Sequence, residues 1–236
     1  MSEHSPQPEK IRSMFGQVAS KYDQANSVLS LGIHHLWRKQ LVQDSEATWG
    51  DDVLDCATGT GDLAIAFKKM VGEEGRVVGT DFCEEMLSFA PEKARKQELE
   101  IQFEKADVMN LQYEDNSFDI CSISFGIRNV ADPVKALKEM ARVVRPGGRV
   151  MILEFGQAET PLFAPLFNFY SQKILPALGG WITGQKEAYQ YLQESSAQFP
   201  CREEFIKMMK DTGLFQQSTY RTLTGGVAYI YRGVKK

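Results

Sequence analysis

Residues 123–130 read ISFGIRNV. Hydrophobic and small residues bring a buried strand to its end, and a permanent cation, Arg128, then stands beside an amide, Asn129. Two roles suit that pair. The arginine can close a salt bridge while the asparagine caps a helix, or both can form the floor of a reaction site where a guanidinium stabilises an anion. A second stretch, LDCATGTGDLA, sets Gly59, Thr60 and Gly61 between a strand and a helix. Glycines there allow positive φ and close approach of a ligand, and the helix start offers unpaired N–H groups. Asp81 follows at the end of the next strand, where a carboxylate can accept both hydroxyls of a ribose. The plainer alternative for the loop is a tight strand-to-helix turn with no ligand.

The elements that must position these groups alternate. DDVLDCA, GRVVGTD, EIQFEKAD, FDICSISF and RVMILEF read as strands, separated by helical patterns at DLAIAFKKMV, EEMLSFAPEKARK and DPVKALKEMARVVRPGG. Asp132 and Pro133 open the last of these helices, and Pro-Gly-Gly ends it. Such alternation implies right-handed crossovers and a parallel, doubly wound sheet. After a final helix, REEFIKMMKDTG, two β-rich runs separated by Thr-Gly-Gly predict an antiparallel hairpin. We expect a helical cap over 1–50, with segments at IRSMFGQVASKYD and HHLWRKQLVQ. The core is expected over 51–236, with a helical lid insertion at about 157–198.

Bulk properties narrow the classes. The 236 residues are 43% hydrophobic and 25% charged, ordinary globular usage. The net charge of −4 comes without a basic block, which argues against nucleic acid as a partner. Cys56, Cys83, Cys121 and Cys201 have no Cys-x-x-Cys spacing and read as reduced, packed thiols. His4, His34 and His35 do not insist on a metal, and none is expected. MSEHSPQPEK carries charge and proline where a secretory signal has an apolar core, and no apolar run spans a membrane, so a cytoplasmic location is expected.

Taken alone, the glycine loop suits a nicotinamide-dependent oxidoreductase as well as a methyltransferase. Three features favour the second. Asp55 lies in the loop's approach, where a carboxylate suits a cationic amino-acid group better than a pyrophosphate. The chain is short for a dehydrogenase with its own substrate domain, and a dinucleotide fold does not require the hairpin. S-adenosylmethionine offers a ribose to Asp81 and carries a sulfonium and an ammonium instead of phosphates.

VASKYD, GIHHLWRK, DCATGTGD, DNSFD, SFGIRNV, RPGG, LEF, YQYLQESSAQFP and LTGGVAYIYRG then occur in order along nearly the whole chain. Together they resemble the ubiquinone/menaquinone biosynthesis C-methyltransferase family. The resemblance implies an α/β, Rossmann-like class I methyltransferase. Its mainly parallel seven-stranded sheet would end in a C-terminal antiparallel hairpin, with helices on both faces. It also implies that S-adenosylmethionine methylates a ring carbon of a prenylated quinol, with demethylmenaquinol favoured and a benzoquinol as the alternative. A non-catalytic scaffold in a quinone-synthesis assembly is the remaining reading.

Carried onto this chain, the resemblance puts Thr60, Asp81, Asp107, Val108 and Ser124 on the donor, beside Asp55, Gly59 and Gly61. The loop has Ala57-Thr58 where the family often has a further glycine. Arg128 would stabilise a phenolate or position a water, Asn129 would add a neutral hydrogen bond, and Tyr22 and His34 would close over the ring. Phe163, Leu166, Phe167, Tyr170 and Ile174 recur at helical spacing, which suits either a core-facing helix or an isoprenoid-accepting lid in peripheral contact with a membrane. Homo-oligomerisation is left open.

Overall fold

The computed structural model describes residues 7–158, 160–161 and 163–236. Seven strands form one sheet in the order β3-β2-β1-β4-β5-β7-β6. They are β1 (Val53–Cys56), β2 (Val77–Asp81), β3 (Gln102–Lys105), β4 (Phe118–Ser124), β5 (Val144–Phe155), β6 (Phe215–Leu223) and β7 (Ala228–Lys235). The first five are parallel, while β7 runs antiparallel to both β5 and β6. The chain is therefore α/β with the expected terminal hairpin. Strand order reverses direction at β1 and β4, so the crevice for a ligand lies beyond their carboxyl ends.

Helices cover both faces. In chain order they are α1 (Pro8–Val18), α2 (Tyr22–Leu29), α3 (Ile33–Asp44), α4 (Asp62–Val71), α5 (Glu84–Leu87), α6 (Ala90–Arg95), α7 (Pro133–Val143), α8 (Phe163–Phe169), α9 (Leu175–Thr183), α10 (Lys186–Gln198) and α11 (Glu203–Asp211). Side-chain alternation divides the sheet's two faces. Leu54, Cys56, Cys121 and Ile123 pack with Leu137 and Met140 of α7 and Phe205 of α11. Val53, Ile120 and Met151 pack with Trp37 and Leu41 of α3 and Phe67 of α4. Each such fully buried side chain contributes about 1.5–3 kcal/mol of hydrophobic stabilisation. All four cysteines are free and buried.

Local chemistry sets the helix ends. Asp132 caps α7 by accepting the Lys135 N–H, with Pro133 at the first position. EEMLSFAPEKARK reads as one helix but folds as α5 and α6, because Pro91 lacks an N–H and its ring opposes a continuous helix. IRSMFGQVASKYD is likewise divided, by a 3-10 turn at Ala19–Lys21 that redirects the chain between α1 and α2. β5 begins at Val144 rather than Arg149, with a register irregularity between its first pair and the rest.

The first fifty residues serve two layers. α3 contributes Trp37, Leu41 and Val42 to the main core, whereas α1 and α2 lie against smaller clusters. Beyond β5, α8 passes through a π-helical turn, Tyr170–Ile174, into α9. The side chain of Phe163 lies outside the described residues, as does His4. Among the described residues, no helix is long and apolar enough to cross a membrane.

Candidate functional site

Two cavities open at the crevice. The smaller, about 160 Å³, is lined by Gly59, Asp81, Asp107, Val108, Ser124 and Asn129 from the sheet's carboxyl edge, and by Pro8, Ile11, Arg12 and Phe15 from α1. Asp81 is fixed by two amides: Oδ2 accepts the Gly59 N–H at 2.7 Å and Oδ1 the Cys83 N–H at 2.8 Å. Burial raises its pKa from the ordinary carboxylate range, and the N–H donors oppose that rise. Asp107 accepts the Met109 N–H at 2.8 Å, which orders the turn carrying Val108. The Ser124 hydroxyl is buried with no hydrogen-bond partner among the described residues. Leaving such a group unsatisfied costs about 1–3 kcal/mol, which a polar ligand would offset. An orphaned hydroxyl facing an anchored carboxylate across a glycine turn suits a nucleoside carrying a polar side chain.

Three of the expected donor residues are not brought to this wall. Asp55 is turned into the protein, where Oδ2 accepts the Thr58 hydroxyl at 2.6 Å and Oδ1 the Ser122 hydroxyl at 2.8 Å. It ties β1, the loop and β4 together. The Thr60 hydroxyl points to Asp23, at 2.7 Å. Gly61 starts α4 at φ +85, and a Cβ there would meet Ala90 Cβ at 2.9 Å. Its missing side chain lets α6 approach the loop.

The larger cavity, about 570 Å³, is mainly apolar, and its lining includes Tyr22, His34, Trp37, Phe125, Arg128 and Phe155. Arg128 is held from several sides. Nη1 donates to Glu154 Oε1 at 2.7 Å and to the Phe125 carbonyl at 2.6 Å, and Nε donates to Ser195 Oγ at 3.4 Å. The side chains of Arg128 and Glu154 are only 4% and 1% exposed. Nη2 has no hydrogen-bond partner among the described residues and remains available to the cavity. Arg128 is thus paired with a carboxylate, as the plainer reading expects, and also lines a chamber. Asn129 accepts the Tyr191 hydroxyl at 3.1 Å.

His34 is buried, with Nδ1 2.6 Å from Ser30 Oγ. Burial, with Arg38 and His35 nearby, lowers its pKa to about 4, so the ring is neutral near pH 7. Burial raises the pKa of Tyr22, keeping the phenol protonated although Arg38 favours the anion. Phe15, Tyr22 and Phe125 line both cavities, so the two spaces meet across these rings.

Sequence reasoning missed Glu154, Phe125, Phe155, Tyr191 and Ser195. Glu154 had a signal, a carboxylate closing a buried strand in LEF, but its partner is remote in sequence. Phe125 sits at φ +57, a left-handed conformation costly for a bulky side chain. Its ring stacks on Phe155 at 4.3 Å while its carbonyl receives Arg128. Ligand atoms of His34, His35 and Asp62 come within 4.8 Å of one another, a grouping the histidine spacing did not suggest. Asp62 is already paired with Arg38 and Lys93.

A family model described as the ubiE/COQ5 methyltransferase family matches residues 4–235. The chain belongs to that family. It is an S-adenosylmethionine-dependent C-methyltransferase. A Ubiquinone/menaquinone biosynthesis C-methyltransferase UbiE from Bdellovibrio bacteriovorus is 68% identical over 236 residues, covering 100% of both chains. Its counterpart from Pseudoalteromonas translucida is 40% identical over 227 residues, covering 95% of this chain and 90% of its own. Among solved structures, a SAM-dependent methyltransferase of Thermotoga maritima, described as a possible histamine N-methyltransferase, superimposes with a TM-score of 0.67. It is 20% identical, with 95% of this chain and 99% of that one covered. One from Aquifex aeolicus gives 0.60 at 19% identity, covering 98% and 99%. These structures share the fold.

In this ubiE/COQ5-family chain, the glycine-loop departure has a structural counterpart. Ala57 occupies φ +49, and a Cβ on Gly126 would come within 2.6 Å of its methyl. The loop's side chain is thus accommodated by a glycine on the neighbouring strand's exit.

Two expectations follow. Burial raises the Asp55 pKa from 3.8 to about 6 despite the hydroxyls of Thr58 and Ser122. The folded chain therefore holds the extra proton, and this group's contribution to stability falls as pH rises through that interval. Asp55→Asn should gain on the parent by roughly 1–3 kcal/mol between pH 4 and pH 7 in urea titrations, whereas a pH-independent gap would count against the shift. Asp81→Ala should weaken S-adenosylhomocysteine binding by about 1.5–3 kcal/mol in calorimetry; unchanged affinity would remove Asp81 from the donor site.

Proposed function

We propose that this chain methylates a ring carbon of a prenylated hydroquinone, with demethylmenaquinol preferred over a benzoquinol. The observation carrying this reading is the shared wall of Phe15, Tyr22 and Phe125 between a smaller cleft that carries Asp81 and Ser124 and a larger apolar chamber containing Arg128. The names of the two relatives, which cite both quinone pathways, agree with it. Trp37, Phe125 and Phe155 give the chamber broad aromatic walls, which favour a fused bicyclic ring.

Asp81, Val108 and Ser124 would hold S-adenosylmethionine in the smaller cleft, with Asp107 ordering the adenine side. That donor supplies an electrophilic methyl group on a sulfonium. Carbon is a weak nucleophile, so the protein's task is to favour the phenolate, whose charge reaches the ortho carbon. Arg128 performs it by donating Nη2 to the developing oxyanion, with Glu154 fixing the guanidinium beforehand so that little reorganisation is needed. Arginine does not act as the base, because its guanidinium stays protonated. The neutral His34 accepts a hydrogen bond from the ring hydroxyl; burial and Arg38 oppose full protonation of the imidazole, so the proton passes on to water. After methylation the C–H bond of the attacked carbon breaks, its proton leaves to water, and the hydroquinone is restored. Tyr22 and Phe125 hold the ring against the donor and exclude solvent, which limits the reactants to one orientation.

The isoprenoid chain leaves through the apolar mouth. Leu31, Leu166 and Phe169 line the chamber and are nevertheless 93%, 67% and 59% exposed. We place this rim, beside Lys173, against the surface of an anionic bilayer, as a peripheral contact.

The full chain, incubated with isotope-labelled donor and vesicles carrying both quinol types, should float with the vesicles and label the naphthoquinol faster, as read by mass spectrometry of the extracts. Equal or reversed labelling would overturn the ring preference, and absence of any labelled quinol would overturn the function. Removing Arg128 alone would leave Glu154 buried without its partner at a cost of about 3–5 kcal/mol. The double variant Arg128→Met with Glu154→Gln should therefore be used. It should bind S-adenosylhomocysteine like the parent but lose about 10²–10³ in kcat; full turnover would leave Arg128 a purely structural ion pair.

A further inference from the structure

A chain of charged and hydroxyl groups joins the N-terminal helices to the glycine loop. Asp23 follows Tyr22 on α2; its Oδ1 accepts the Thr60 hydroxyl at 2.7 Å and its Oδ2 the Lys93 ammonium at 2.6 Å. Lys93, from α6, also reaches Thr60 Oγ1 at 3.3 Å and pairs with Asp62 in the first turn of α4. Asp62 in turn accepts Arg38 of α3 at 2.7 Å. Neither Asp23 nor Lys93 lines either of the two cavities at the crevice. The network instead fixes what does: Tyr22 is adjacent in sequence, and Gly59 is adjacent to Thr60.

α2 is also held by Ala25 and Leu29, which are buried with Tyr189, and by the Tyr170 hydroxyl on the Leu29 carbonyl, whereas the other attachments of α1 near the donor cleft are slight. Asp23, itself 43% exposed, is shared between Lys93 and the Thr60 hydroxyl, whereas Arg12 and Glu85 meet at 3.2 Å as a single surface pair, 39% and 49% exposed. The apolar cluster beneath them contains only Ala19, Cys83 and Met86 as buried members, with Phe15 and Tyr22 packed against it. Yet Pro8, Ile11, Arg12 and Phe15 line one side of the cleft, so a molecule held there is enclosed by a helix with weak anchorage of its own.

We propose that Asp23 is a positioning residue that latches α2 to the donor loop through Thr60 and Lys93. The latch keeps Tyr22 and Phe15 across the junction during methyl transfer and sets how fast the spent donor leaves. This rests on the reading that the smaller cleft holds the donor. With the latch open, the start of α2 is no longer fixed to the loop, α1 swings on the short turn at Ala19–Lys21, and the cleft loses one side. The two reactants then lose the wall that aligns them, although the sheet and its loop are intact.

The test uses the full chain as parent, Asp23→Ala and Asp23→Asn, the last keeping an acceptor for Thr60 while losing the charge that holds Lys93. S-adenosylhomocysteine should leave either variant roughly fivefold faster in stopped-flow measurements, as expected for loss of one partly exposed ion pair. Amide exchange should quicken over residues 8–22 but not over the central strands. Raising salt should speed release from the parent and leave the variants unchanged. Parental release and exchange in both variants would overturn the latch. If S-adenosylhomocysteine does not bind the parent, the donor assignment fails instead, and exchange over 8–22 alone still decides whether Asp23 holds these helices. Should Asp23→Ala not fold, Asp23→Asn carries the test.

Discussion

A guanidinium enclosed at the edge of a parallel sheet must have its charge answered nearby, because an unpaired buried ion costs far more than a fold of this size can spare. Glu154 answers Arg128, and from that pairing much of the site's geometry follows. One nitrogen is committed to the carboxylate and to the Phe125 carbonyl and another to Ser195, the remaining one has no hydrogen-bond partner among the described residues, and the side chain lines the chamber. The carboxylate also accepts the Phe155 N–H at 2.8 Å, which fixes it from the far side. β4 and β5 are neighbours in the sheet, so the exits of two adjacent strands are tied together at the point where the crevice opens.

The left-handed turn at Phe125 belongs to the same arrangement. A bulky residue in that conformation stores strain of about 1–3 kcal/mol, and the surrounding contacts maintain it. In return the strand ends abruptly, its last carbonyl faces Arg128, and an aromatic ring stands between two cavities. The same exit carries Asn129 and the Ser124 hydroxyl, which has no partner among the described residues. Polar demand is thus concentrated in the small cleft, while the large chamber keeps few charges and holds its one buried histidine neutral.

Burial and neighbouring cations also divide the acidic residues by role. Asp81 sits at the cleft wall on two amides. Asp55, one strand over, is absorbed by hydroxyls inside the protein. Burial favours protonation of Asp62, but Arg38 and Lys93 outweigh it and hold its carboxyl below the usual range. Three aspartates close to one loop therefore serve as wall, internal brace and ionic joint.

The strands, their parallel order, the terminal hairpin and the cap of α7 were legible in the sequence, because alternation, apolar runs and Asp-Pro or Thr-Gly-Gly signals act over a few residues. Gly59, Asp81 and Arg128 stood out because a glycine turn and a charge at a core strand's end are local anomalies, and the structure sets them on the walls of the two cavities. The directions of Asp55, Thr60 and Gly61 were not legible, because a side chain one residue along a tight turn can face ligand or core, and only packing against Ser122, Asp23 and Ala90 decided. The partnership of Arg128 with Glu154 spans two strands, and the meeting of Tyr22 with Phe125 joins distant parts of the chain. Both depend on long-range closure of the sheet and its helices, which local periodicity does not encode. Sequence determined which groups exist at each turn; the tertiary structure decided which of them face one another, because direction is set by neighbours far along the chain.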